Sequence, residues 1–245
     1  MSLHHFTALK GHGLRAIDGE LGKTKDLLFD DFSWEVRYLI AKTGQWLSKR
    51  EVLVHAQSLG TPDRDTGLVP VALTRERIRN SPDIDTQKPV SRQMQEQLAA
   101  YYQWPGLQTY SYWPTGTFIP PPVPDMPDAI PKPEPPPEGP QLRSCREIIG
   151  YAIAAPNGEI GDVKDLVVDT EGWKIALIVV DTGNWLPGRK VLLSPLDTSN
   201  ISWSDRSISV VLSREQIQDG PPYDPDAELN AEVVRRVLRH YGRPT

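Results

Sequence analysis

One register organises this chain: Trp34 and Trp173, Trp46 and Trp185, Leu73 and Leu212, and Tyr102 and Tyr241 all stand 139 positions apart. Slid by that offset, 11–102 lies on 150–241 without a gap. The match takes in Gly19-Glu20, Gly22, Lys25-Asp26-Leu27, Asp30, Thr43-Gly44, Trp46-Leu47, Arg50, Val52-Leu53, Arg75-Glu76, Ile78 and Pro82. Self-similarity held over such a length marks a duplicated structural unit. A chain of 245 residues has room for two units of roughly 100 residues, each able to bury a modest core.

Between the copies the composition changes. Thirteen of the 24 prolines fall within 103–140, and proline removes an amide donor and fixes φ, so this stretch is expected to be an extended, semi-rigid linker. It opens on an aromatic run, YYQWPGLQTYSYWPTGTF, containing Trp104 and Trp113. Those rings are candidates either for a strap packed on the first unit or for docking a partner. The domain reading is therefore 1–102, a linker at 103–140, and 141–245.

Local structure can be read twice. Asp18-Gly19 and Asn157-Gly158 predict a hairpin with a type I′ turn at the start of each copy. ELGKTKDLLFD and EIGDVKDLVVD then read as a strand with a bulge near the repeated Lys-Asp pair. WKIALIVVD is a β-branched run suited to burial on both faces, whereas WEVRYLIAK is interrupted by Arg37. Two further short strands follow in each copy. Ser213 with Gln216 forms a capping-box pattern for a short helix, and Thr74 supplies the equivalent cap. A last amphipathic helix is expected at 91–102 and again at 226–241, with apolar residues every four positions.

NGEIGDVKDLVVD, WKIALIVVDTGNWLPGRKVLL and SREQI, in that order, resemble the PRC-barrel domain, with the first copy a fainter version. That family includes the cytoplasmic part of the photosynthetic reaction-centre H subunit, the C-terminal domain of a bacterial ribosome-maturation factor and many stand-alone bacterial proteins. The resemblance implies a mainly β fold with short helices: two small antiparallel β-barrels, each followed by a C-terminal helix, joined by the proline-rich linker. It also implies a protein-docking or assembly module without cofactor or catalytic residues of its own. An accessory to a photosynthetic or electron-transfer membrane complex, touching it peripherally, and a ribosome-assembly accessory are the alternatives it suggests.

The residues themselves point away from chemistry. The five histidines (His4, His5, His12, His55 and His240) never fall opposite one another at the offset, and no nucleophile elbow, phosphate loop or paired-cysteine zinc spacing occurs. His4 and His5 read as a solvated terminus, and metal binding is not expected. Cys145, flanked by Arg143 and Arg146, reads as an incidental thiol. The repeated Lys25-Asp26 and Lys164-Asp165 read as a bulge or cross-strand ion pair.

Copy 11–102 is charge-neutral and copy 150–241 carries a net charge of −5, so neither suits a primary nucleic-acid binder. Arg75, Arg77 and Arg79 crowd one short helix, while Arg235, Arg236 and Arg239 crowd the last. The latter group, with Trp46 and Trp185 in loops beside Gly44 and Gly183, completes the candidate interaction residues. No leader follows Met1, and the longest apolar run, 175–180, is strand-sized, so a cytoplasmic protein is expected. Its partners are expected to be other proteins or further copies of itself.

Overall fold

A computed structural model describes residues 1–80 and 142–244, except 64, 184, 187, 222, 225 and 226. The linker, Trp104, Trp113 and the helix expected at 91–102 lie outside the described residues.

The first half runs β1 (Leu3–His5), α1 (Phe6–Leu9), β2 (Gly13–Ala16), β3 (Gly19–Asp30), β4 (Val36–Thr43), β5 (Glu51–His55), β6 (Val69–Pro70) and α2 (Arg75–Arg79). The second half repeats the plan with β7 (Leu142–Ser144), α3 (Cys145–Ile148), β8 (Ala152–Ala155), β9 (Gly158–Asp169), β10 (Lys174–Asp181) and β11 (Lys190–Leu193). It then adds β12 (Thr198–Ser202), β13 (Ser207–Val210), α4 (Arg214–Gln218) and α5 (Ala231–His240). The fold is mainly β with short helices, arranged in two sheets.

Neither sheet closes among the described residues. One runs β5-β4-β3-β2-β6, with an isolated Leu59–Val71 bridge beyond β6, and the other runs β11-β10-β9-β8-β13-β12. The β2–β6 and β8–β13 pairs are parallel, so the sheets are mixed where mostly antiparallel barrels were expected.

The two long strands carry the bulge that the sequence predicts. Thr24 pairs with Ala41 but Asp26 with Ile40, leaving Lys25 extra; Val163 pairs with Val180 but Asp165 with Val179, leaving Lys164 extra. Removing the lysine from the ladder turns its aspartate inward, and Asp26 and Asp165 are buried. Gly22 and Gly161 precede the bulges at φ +148° and +149°, where a Cβ would stand 2.2 Å and 2.0 Å from the carbonyls of Lys42 and Asp181. Only glycine permits that approach.

The hairpins form one residue earlier than expected. Ala16 pairs with Gly19 and Ala155 with Gly158, so the two-residue loops are Ile17-Asp18 and Pro156-Asn157. None of these four residues has a positive φ, which excludes type I′. Asp18 and Asn157 instead accept hydrogen bonds from Arg75 N (2.8 Å) and Arg214 N (3.0 Å), tying each hairpin to the short helix of its own half. The caps on those helices follow the sequence reading: Thr74 Oγ1 accepts from Arg77 N at 3.2 Å. Ser213 and Gln216 form the reciprocal box at 3.4 Å and 2.9 Å.

The sequence leaves open whether the two units pack together as a pseudo-twofold pair or are held apart by the proline segment; the packing joins them. β1 pairs antiparallel with β9 of the second half (Leu3 opposite Asp169), and β7 pairs antiparallel with β3 of the first (Leu142 opposite Asp30). Each half thus lends its opening strand to the other, and the two pairings are related by the 139-residue offset. Trp34 and Trp173 sit at the crossing in left-handed backbone, at φ 59° and 47°. Val36 N donates to Trp173 O at 2.8 Å, and Ile175 N donates to Trp34 O at 2.9 Å. This reciprocity is that of an isologous twofold interface built within one chain.

The core reflects the exchange. One contiguous apolar cluster contains Phe6, Leu27, Phe29 and Trp34 together with Cys145, Leu166, Val168 and Trp173. A smaller cluster of Val167, Leu177, Val179 and Leu192 lies beneath Val234 and Val237 of α5. α5 starts at Ala231, later than the expected 226, because Asn230 caps it by accepting from Glu232 N (3.0 Å) and Val233 N (3.2 Å). Among the described residues, no helix is long and apolar enough to cross a membrane.

Candidate interaction site

Trp46 and Trp185 occupy equivalent half-buried loop positions packed against the main cluster. The Trp46 indole donates to Leu21 O at 2.9 Å. The Arg75 guanidinium lies 4.4 Å from its ring centroid, and Arg214 lies 4.8 Å from that of Trp185. Such stacking contributes about 0.5–1 kcal/mol at accessible sites. These tryptophans brace loops within their own halves, with Arg75 and Arg79 as lids on Trp46 and Arg214 on Trp185. The residues at the crossing are Trp34 and Trp173, which the sequence reading passed over.

The arginines of α5 are exposed. Arg235 and Arg239 both pair with Glu232 at 2.9 Å. Arg236 has no ion pair among the described residues and borders a cavity of about 270 Å³ with Tyr223 and Val233. The apolar side of the helix is spent on the sheet through Val234 and Val237, which leaves a charged outer face and no second greasy one.

His4 and His5 do not form a solvated tail: both lie in β1. His4 Nε2 sits 3.1 Å from Ser2 Oγ. His5 Nε2 lies 2.8 Å from the Tyr223 hydroxyl, and its Nδ1 lies 3.3 Å from Asp165. Among the described residues no three His, Cys, Asp or Glu side chains gather as a metal-binding group.

The repeated aspartates hold the exchange. Asp165 accepts from Thr7 Oγ1, from Thr7 N at 3.2 Å and from Leu166 N at 2.8 Å. Burial opposes its charge, but His5, Thr7 and those amides outweigh it and hold the carboxyl below its ordinary value. Asp26 accepts from Ser144 Oγ at 2.5 Å, Arg146 N at 3.1 Å and Leu27 N at 2.8 Å. Here burial prevails and pushes the carboxyl up. The ion pair that the sequence suggested falls to the bulged Lys25, which reaches Glu51 at 2.5 Å. Cys145 is buried, and burial, then the charges of Asp26 and Asp165, push its thiol well above its ordinary value, overriding the neighbouring arginines. His55 is pushed down to about 4 by burial and by Arg37, so it is neutral near pH 7.

Beside the crossing an open groove of about 440 Å³ runs between 31–34 of the first half and β10, β12 and α5 of the second. Ala176, Pro195, Ile201 and Leu238 line it, with Phe32 (38% exposed) and Leu196 (54% exposed) presenting apolar surface at its rim. Residues 198–201 of β12 also line it, and β12 has a hydrogen-bonded neighbour only on its β13 side among the described residues. At the offset, Phe32, Ala176 and Leu196 face Glu171, Arg37 and Gln57. The signal was visible in the sequence as apolar residues set against charged or polar ones at the offset, Phe32 in the first copy and Ala176 and Leu196 in the second.

Residues 140–212 match the PRC-barrel domain family, a stretch that runs from β7 through β13. An uncharacterized protein from Deinococcus radiodurans is 29% identical over 99 residues, covering 37% of this chain and 34% of its own length. The chain thus spans about a third of that curated relative.

Proposed function

We propose that this chain is a non-enzymatic docking module, and that the groove beside the crossing receives an extended segment of a partner protein as an added strand on β12. The observation that carries the reading is the coincidence of an open strand edge with an apolar rim made by Phe32 of one copy and Leu196 of the other. Unpaired main-chain groups on an edge bind an extended peptide without regard to its sequence, and neighbouring pockets select alternate side chains. A volume of about 440 Å³ falls in the range of ordinary ligand clefts. The PRC-barrel match at 140–212 supports a module of this kind, and the repeat with its shared strand plan supports a tandem arrangement of two such units.

The test is to pan a random twelve-residue peptide library against the full chain and map the selected peptides by amide hydrogen exchange. The expected result is new protection at 200–202, with binding lost in Leu196→Glu and in Asn200→Pro and retained in Arg236→Ala. Selected peptides that protect α5 or the Trp46 and Trp185 loops, or that still bind Leu196→Glu, would sink the proposal.

A further inference from the structure

The exchanged segments are equivalent in position but not in shape. Phe6 and Cys145 stand at the same place in α1 and α3, each two residues past the strand residue paired with the acceptor strand: His4 opposite Val168, and Arg143 opposite Phe29. Both are fully buried, at 1% and 0% exposure. The acceptor positions differ in the opposite sense, since the large Phe6 is delivered to the strand carrying the small Val168, and the small Cys145 to the strand carrying the large Phe29. All four belong to the one contiguous cluster, and α1 packs on β9 as α3 packs on β3.

We infer that these four residues make each half specific for the other, so that a chain closes on itself in preference to pairing like halves with a second copy. Pairing two second halves would deliver Cys145 to Val168 twice and leave a void at each site. Pairing two first halves would deliver Phe6 to Phe29 twice and overfill it. Interiors pack at crystal-like density and tolerate neither change well. The distinction matters because each chain carries both halves. Like-with-like pairing uses one half per contact and leaves the other free to recruit a further chain, which builds an open-ended string, whereas mixed pairing closes.

The size code can be erased without disturbing the native fit. Phe6→Cys with Val168→Phe makes every donor small and every acceptor strand large-bearing; Cys145→Phe with Phe29→Val makes every donor large and every acceptor strand small-bearing. In both, the mixed pair keeps its complementarity while like pairs gain it. A protease site placed after Pro121 of the full chain allows the folded protein to be cut, unfolded in urea, refolded by dilution and weighed by native mass spectrometry. The cut protein with unaltered halves is expected to return mixed pairs alone, while each double variant returns like pairs as often as mixed ones. Like pairs from the unaltered halves, or mixed pairs alone from a double variant that refolds, would overturn the assignment. The two variants are independent, so a failure of one to refold leaves the other to decide.

Discussion

Replacing Asp165 by alanine is expected to release the opening strand of the chain from the second half while leaving the rest of that half intact. The substitution strips the acceptor from three donors: the buried Leu166 N, and the part-buried Thr7 N and Thr7 Oγ1. It also removes the carboxylate beside His5. Leaving the buried amide unmet costs roughly 1–2 kcal/mol and losing each part-buried bond about 0.5 kcal/mol, so the loss should reach about 2–3 kcal/mol, a sizeable part of the stability of an ordinary domain. Asp165→Asn retains one oxygen and should cost about half as much. Urea unfolding followed by tryptophan fluorescence gives the total, and hydrogen exchange locates it. Protection should fall first at the amides of 3–9, with β10 and β11 keeping theirs. A loss below about 0.5 kcal/mol, typical of an ordinary surface change, would refute the claim that this carboxylate latches the exchange, as would loss of protection spread evenly over the second half.

Four further outcomes follow from the same geometry. The folded value of Asp165 is depressed below 3.8, so its contribution is present above the unfolded value and lost as pH falls through the folded one. Asp26 is raised above 3.8, so its contribution is present below the unfolded value and lost as pH rises; on acidification, exchange measured by mass spectrometry should speed up at 3–9 before 142–148. At Trp173, in left-handed backbone at φ 47°, glycine should be less damaging than alanine by about 1 kcal/mol in urea unfolding, since both lose the buried indole but only glycine relieves the backbone. Gly161→Ala should destabilise by more than about 2 kcal/mol on thermal melting, because its φ and the Asp181 carbonyl both oppose a Cβ. Cys145 should resist a thiol reagent in the folded protein and react only at the rate of opening, because it is buried with its thiol pushed up.

Much of the candidate site was legible only in retrospect. Lys25-Asp26 and Lys164-Asp165 stood out as a charged pair kept in both copies, and a bulge there was expected. That each aspartate would cap a helix from the opposite half was not, because the donors lie far away in sequence: Thr7 for Asp165, and Ser144 with Arg146 for Asp26. Trp46 and Trp185 drew attention as loop aromatics, yet their arginine lids and core contacts make them braces. The groove was written in the mismatch of Phe32 with Glu171 and of Leu196 with Gln57, a pattern that gains meaning once those turns are seen to converge beside an open strand edge.

What the chain encodes by itself is local and doubled. The offset announces two equivalent units, alternation and β-branching mark the strands, and Thr74 and Ser213 begin their helices, because these preferences act within a few residues and need no distant partner. Tertiary structure alone decides which half each opening strand joins. The edges of β3 and β9 offer the same hydrogen-bonding groups, so periodicity cannot tell self from neighbour. The choice falls to volume and charge at the crossing, where Phe6, Cys145 and the two buried aspartates meet matched surroundings.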